Sequence, residues 1–277
     1  MDTKIKILLL TDFSEVSEHA ANYVLQIAKK TYASVQVMHV ISTPVDWVKI
    51  PLEKEKLYPE TKAEIGIANL KLNELTKWFE HEGIEAKKSL VYNIGVENVS
   101  DHIKGKDFDL IVMGSHGSKG VKAFQIGSNA HKVLRSVSVP TLIIKQKPAS
   151  DAIKNIAFAS TFEEDQVKAF KQILKFTELV EAQLHLLYIN TPYNFNESAE
   201  IEKRLVKFCK FNSSNCIKHT YNALNEERGI RYFMKKTEID LFSIATAGKP
   251  GIVQIFSPSI TEQLINYVDV PVLSIHK

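Results

Sequence analysis

Apolar positions along this chain follow two alternating rhythms. Short, mostly apolar runs at residues 5–10, 35–41, 109–113 and 139–145 read as buried strands. Between them the apolar residues recur at helical spacing. Val16, Ala20, Tyr23, Val24, Ile27 and Ala28 make one stripe, and Ile65, Ala68, Leu72, Leu75 and Phe79 make another that stops near Gly83. Ser14 is placed to cap the first helix, with Glu15 and Glu18 in its first turn. Taken whole, the first half reads strand, helix, strand, helix, strand, helix, strand, helix, strand, with a third strand and further helices in the stretches between these runs. Strict alternation of this kind predicts a parallel sheet covered on both faces.

The rhythm then starts again. Residues 6–15, KILLLTDFSE, are echoed by residues 154–163, KNIAFASTFE. The second strands, 35–41 and 183–190, are closed by Thr43-Pro44 and Thr191-Pro192. Asp109-Leu110 is matched by Asp240-Leu241, and Val139-Pro140 by Val270-Pro271. Repetition over this length predicts two copies of one domain, residues 1–147 and 152–277, with the polar, proline-containing stretch 146–150 between them. The expected fold class is α/β: two tandem Rossmann-like domains, each a mainly parallel five-stranded sheet flanked by helices.

One stretch carries chemistry. Gly114-Ser115-His116-Gly117, nine residues, then Gly127-Ser128 follows the strand at 109–113 and opens a helix over 129–135. Glycines at a strand end let backbone N–H groups approach a ligand, and a helix start offers unpaired N–H groups and the positive end of a dipole. Together they form a phosphate site. Ligands of such sheets sit beyond the carboxyl ends of strands, where the strand order reverses. That rule brings Asp12, ending the first strand, to the same crevice as Gly114. The chain has no P-loop, no G-x-G-x-x-G fingerprint and no G-x-S-x-G elbow. His19, His81 and Glu82 form no metal-ligand pattern.

Charge narrows the partners. Lysines and arginines number 20 against 17 acids through Lys147, and 15 against 15 after it, too even for a nucleic-acid face. The run at 5–10 is too short for a secretory core, and no stretch approaches the ~20 apolar residues of a membrane span. Cys209 and Cys216 do not have CxxC spacing and read as buried thiols of a reducing compartment. The expected location is the cytoplasm, with no nucleic-acid and no membrane partner.

With these residues in place, the chain resembles the universal stress protein family in its tandem form. Gly114, Gly117, Gly127 and Ser128 satisfy that family's G-x2-G-x9-G-[ST] motif, joined by the acid in Thr11-Asp12-Phe13-Ser14 and the final strand after Val139-Pro140. The resemblance implies an adenine nucleotide alpha hydrolase-like fold and an ATP site in the first copy. Thr11 and Asp12 would lie at the adenosine end, with backbone of Val40 at the adenine. Met113 and Gly114 would line the ribose. Gly117, Gly127, Ser128 and Asn129 would hold the phosphates, His116 would reach one of them, and Mg²⁺ would ride on them.

The second copy departs from the motif. Ala245 stands for Gly114, Pro258 for Gly127 and Thr161 for Asp12, while Gly248 and Ser259 are kept. Proline removes an N–H donor at the helix entry, and Phe256 and Pro258 are expected to fill that crevice. The resulting expectation is a non-catalytic, ATP-binding stress regulator with one working site. The final strands of the two copies are expected to pair within the chain as a pseudo-dimer, with a homodimer and an unidentified protein partner beyond it. A slow ATPase or nucleotidyl-transfer enzyme and a nucleotide-free scaffold stay open.

Overall fold

The structure is a computed structural model that describes residues 4–94, 99–116, 126–211, 216–246, 264, 265 and 267–276. The first half runs β1 (Lys6–Leu10), α1 (Glu15–Thr31), β2 (Ser34–Thr43), α2 (Pro59–His81), β3 (Ala86–Ile94), β4 (Leu110–Gly114), α3 (Ser128–Ser136) and β5 (Thr141–Ile144). The second half runs β6 (Asn155–Ala159), α4 (Val167–Leu179), β7 (Gln183–Asn190), α5 (Ser198–Cys209), β8 (Ile217–Asn222), α6 (Glu226–Lys236), β9 (Leu241–Thr246) and β10 (Val272–His276). The local signals act as read. The Ser14 side chain accepts from the Ser17 amide at the start of α1, and Gly83, at φ +80°, follows the end of α2.

All ten strands join one sheet in the order β3-β2-β1-β4-β5-β10-β9-β6-β7-β8. Pairing is parallel within each half and antiparallel only at the central seam, where Val272, Leu273 and Ser274 lie opposite Ile143, Leu142 and Thr141. The seam is clamped reciprocally. His276 Nε2 is 3.0 Å from the carbonyl of Leu134, at the end of α3, and Lys145 Nζ donates to the carbonyl of Val268 at 2.8 Å. One clamp joins the last turn of α3 to β10, and the other joins the residue after β5 to the segment that leads into β10. Lys30 of α1 also pairs with Glu181 beyond α4.

Backbone strain repeats with the fold. The four non-glycine residues with positive φ among the described residues are Phe13, Tyr32, Phe162 and Glu181, which form two pairs each separated by 149 positions. Left-handed backbone at a bulky residue is uncommon. Its recurrence at matched sites marks the same two turns, strand-to-helix and helix-to-strand, built twice. Asp109 and Asp240 also have one job in common: each carboxylate caps the entry of the neighbouring strand, accepting from the amide of Lys6 and from those of Lys154 and Asn155.

Two expectations need correction. The interval between β3 and β4 was expected to hold a helix; its described part is a single 3₁₀ turn, Val99–His102, whereas the same interval of the second half holds the eleven-residue α6. The second-half segment supplies Ile230 and Phe233 at i and i+3 to the core, both buried, which gives a helix a face to bury. The two cysteines are also not separate thiols. They are joined as a disulfide with Cα atoms 5.8 Å apart, tying the end of α5 to the entry of β8. Their separation along the chain gave no sign that a helix end and an edge strand converge there.

No helix among the described residues is long and apolar enough to cross a membrane.

Candidate functional site

The order β2-β1-β4 reverses direction between β1 and β4, so the ends of these two strands open a crevice. Leu10 lies beside Met113 in register, which puts Asp12 and Gly114 on the two lips. The turn leaving β1 is tightly bonded. The Thr11 amide continues the ladder to the Met38 carbonyl at 2.9 Å, and the buried Thr11 hydroxyl accepts from the Phe13 amide and donates to Ser17 Oγ. Asp12 Oδ1 accepts from both the amide and the hydroxyl of Ser14, at 3.1 and 2.6 Å. The carboxylate is thus held by the helix entry and stays partly exposed to the crevice.

Gly114 packs closely on α1. A Cβ there would lie 3.0 Å from Cγ1 of Val16 and 3.3 Å from the His116 carbonyl, a tight fit that the neighbours would have to relieve by a few tenths of an ångström. Met113 is buried beneath the crevice, Ser115 is buried, and His116 is half-buried with Nδ1 3.0 Å from Ser115 Oγ. The Ser115 amide donates to the Ile144 carbonyl, and the Ser115 carbonyl accepts from the Gly127 amide at 2.6 Å. Strand end and helix start are thereby stapled together.

That staple engages the Gly127 amide, which had been assigned to phosphate. Gly127 is the N-cap of α3 at φ −67° and ψ 154°, an ordinary extended conformation. The next three amides, of Ser128, Asn129 and Ala130, have no acceptor among the described residues, and Ser128 and Asn129 are exposed. An anion beside the described start of α3 would meet these groups and the dipole. Gly117 lies outside the described residues, as do residues 118–125.

Val40 is half-buried on β2, one strand further from the reversal point. Beside it stands a residue that sequence reasoning missed. His39 Nδ1 is 2.7 Å from the Thr11 carbonyl, and its ring packs on Phe13 with centroids 4.6 Å apart. Lys71 Nζ of α2 lies 5.3 Å from the Phe13 ring centroid on this cluster. Burial, reinforced by Lys71, holds the His39 imidazole below its ordinary range against the opposing pull of the Thr11 bond and Asp12, so the ring is neutral at pH 7. A neutral ring donating from Nδ1 keeps Nε2 as an acceptor. The signal was present in the sequence: a histidine inside an apolar strand must find a polar partner.

The second half builds the same corner differently. Phe162 repeats the left-handed turn, with its amide donating to Ser160 Oγ, but its ring is buried between Phe158 and Phe208. Tyr188 replaces His39, and its hydroxyl accepts from Asn196. Ile189 replaces Val40 and is covered by α6: a Cβ on Gly229 would lie 2.5 Å from it. Thr161, Ile189, Asn194 and Glu226 are among the residues that line a cavity of about 10 Å³ there, room for about one water. Ala245 is buried in Gly114's place. Gly248, Phe256, Pro258 and Ser259 lie outside the described residues.

A doubly wound α/β sheet whose strand-end crevice faces the start of a helix defines a Rossmann-like class of fold. The profile described as the universal stress protein family matches residues 5–145, and the chain belongs to that family. A universal stress protein of Methanocaldococcus jannaschii is 30% identical over 142 residues, covering 51% of this chain and 82% of the relative. The universal stress protein YxiE of Bacillus subtilis is 29% identical over 145 residues, covering 50% and 98%. Across the whole length, the crystal structure of a universal stress protein from Archaeoglobus fulgidus aligns with a TM-score of 0.74 at 19% identity, covering 98% of each chain. A Pseudomonas aeruginosa protein of unknown function aligns at 0.69 and 14% identity, covering 99% of this chain and 93% of its own. At those identities the structural likeness speaks to fold.

Proposed function

We propose that this chain is a nucleotide-dependent stress regulator that binds one adenine nucleotide, ATP with Mg²⁺ on its phosphates, in the crevice of the first half. Residues 1–147 and 152–277 act as two domains, the first binding and the second bracing. The observation that carries this reading is the meeting of three features at one reversal of strand order: the Asp12 turn, the Gly114 strand end and the exposed first turn of α3. Asp12 would take the ribose, Val40 backbone the base, Met113 and Gly114 the sugar face, and Ser128 and Asn129 amides the phosphates, with His116 and Gly117 beside them. The second half, with Thr161 for Asp12, Ala245 for Gly114 and Pro258 for Gly127, supports a single site.

Binding rather than turnover is the proposed activity. Asp12 Oδ1 accepts from Ser14 and His116 Nδ1 lies beside the Ser115 hydroxyl, contacts that hold both side chains in place at the crevice. Calorimetric titration of the full chain with Mg·ATP should show saturable binding, and Asp12→Ala should weaken it about ten-fold or more, the loss of one charge-assisted hydrogen bond. Wild-type protein that takes up no ATP at millimolar concentration, or an Asp12→Ala variant that binds as the wild type does, would sink the assignment.

A further inference from the structure

The helices α1, α2, α4 and α5 pack their apolar stripes into one core. Among their described residues, only α2 also exposes large apolar side chains: Ile67 is 55% and Leu70 64% exposed. These two stand in a row with Glu60, Ala63, Glu74 and Lys77 at spacings of three and four, and all six positions are exposed. Gly66 adjoins the row, and a Cβ there would meet nothing within 4 Å. Glu64 and Lys71, both exposed, flank it.

The charges of this face have no partner within the chain. Glu60, Glu64, Lys71 and Lys77 form no ion pair among the described residues. The helix α5, which follows the second strand of its half as α2 does, differs on both counts. It exposes no large apolar side chain, and its outward charges are satisfied internally: Glu200 by Arg204, Lys207 by Glu164 and Glu202 by Lys218.

An antiparallel pair of such faces is self-complementary. When Ile67 is layered on Leu70 of a second copy, the same offset sets Glu60 against Lys77 and Ala63 against Glu74, and the flanking Glu64 meets Lys71. Two-fold symmetry makes each contact twice. A parallel pair would instead set Glu60 against Glu60 and Lys77 against Lys77. We propose that the outer face of α2 is a self-association surface, on which a second copy of this chain docks its own α2 in antiparallel fashion. The pairing uses most of a helix about 35 Å long, with two apolar layers at its centre, a contact suited to a reversible dimer rather than an obligate one. It is separate from the β5–β10 seam and does not rest on the nucleotide reading.

Sedimentation of the full chain over a concentration series should show a monomer–dimer equilibrium. Glu60→Lys and Lys77→Glu should each weaken it about ten-fold, because each creates two like-charge contacts across the axis. The chain carrying both changes should dimerise as the wild type does. A wild-type chain that stays monomeric at high micromolar concentration, a dimer untouched by either single change, or a double variant no stronger than the singles would each overturn the proposal. Carbodiimide coupling of the wild-type chain needs no variant and should join the Glu60 carboxylate to the Lys77 amine. Within one helix these two residues lie about 25 Å apart, so that bond forms only between copies. A cross-linked dimer that lacks it would also overturn the proposal.

Discussion

Phe162→Ala should lower the unfolding free energy by about 3–5 kcal/mol, the usual cost of emptying a fully buried aromatic site, whereas Phe13→Ala should cost only about 1–2 kcal/mol. The two residues occupy the same left-handed turn, at φ 54° and 61°, so backbone strain is common to both and cancels in the comparison. Only the surroundings differ. Phe162 is 2% exposed and makes edge contacts with Phe158 and Phe208, with ring centroids 5.7 and 5.3 Å apart; Phe170 joins the same cluster. Phe13 is partly exposed and rests on His39 under Lys71 at the crevice. Urea unfolding of the two variants measures the difference directly. Equal losses would mean that the two corners are packed alike, contrary to a first half that keeps its corner for a ligand.

Acid should weaken the fold well above the range of ordinary carboxylates. His185 on β7 is buried, with Nε2 3.3 Å from Asn155 Oδ1 and Nδ1 3.0 Å from Nε2 of His219 on β8. Asn155 Oδ1 can only accept, so His185 donates from Nε2 and accepts at Nδ1 from His219. A proton added at Nδ1 would point at another N–H. Burial, and then His219, push the His185 imidazole down to about 4. The unfolded chain takes up that proton below pH 6.5, while the folded chain refuses it until about pH 4. The stability this group contributes is therefore complete above pH 6.5 and is lost as pH falls from 6.5 to 4. A shift of this size corresponds to about 2–3 kcal/mol between pH 7.5 and 4.5. Burial also lowers His39, His219 and His276, which adds in the same direction. Chemical denaturation at the two pH values checks this, and His185→Phe should remove most of the slope. A wild-type protein equally stable at both would refute it.

Much of this architecture is legible in the residues because local signals agree with the global fold. The strand runs, the Ser14 cap, the stop near Gly83 and the doubled KILLLTDFSE pattern all describe elements that the packing then uses. The switch-point rule brings Asp12 and Gly114 together because it depends on strand order, which the alternating pattern fixes. What escapes is set by partners distant in sequence. Nothing near Gly127 reveals that its amide is held by Ser115, nor does anything near Gly114 reveal that Val16 packs closely against it. His39 looks like a polar intruder in a strand until the Thr11 carbonyl is seen beside it. The Cys209–Cys216 link needs the convergence of α5 and β8.

Native mass spectrometry of the full chain with Mg·ATP puts the most direct question, since it counts ligands per polypeptide. One nucleotide should add to each chain at saturation, and Asp12→Ala should need about ten-fold more nucleotide, or more, for the same occupancy. Two equivalent nucleotides per wild-type chain, or an Asp12→Ala chain that fills at the wild-type concentration, would contradict a single site built at the β1–β4 reversal.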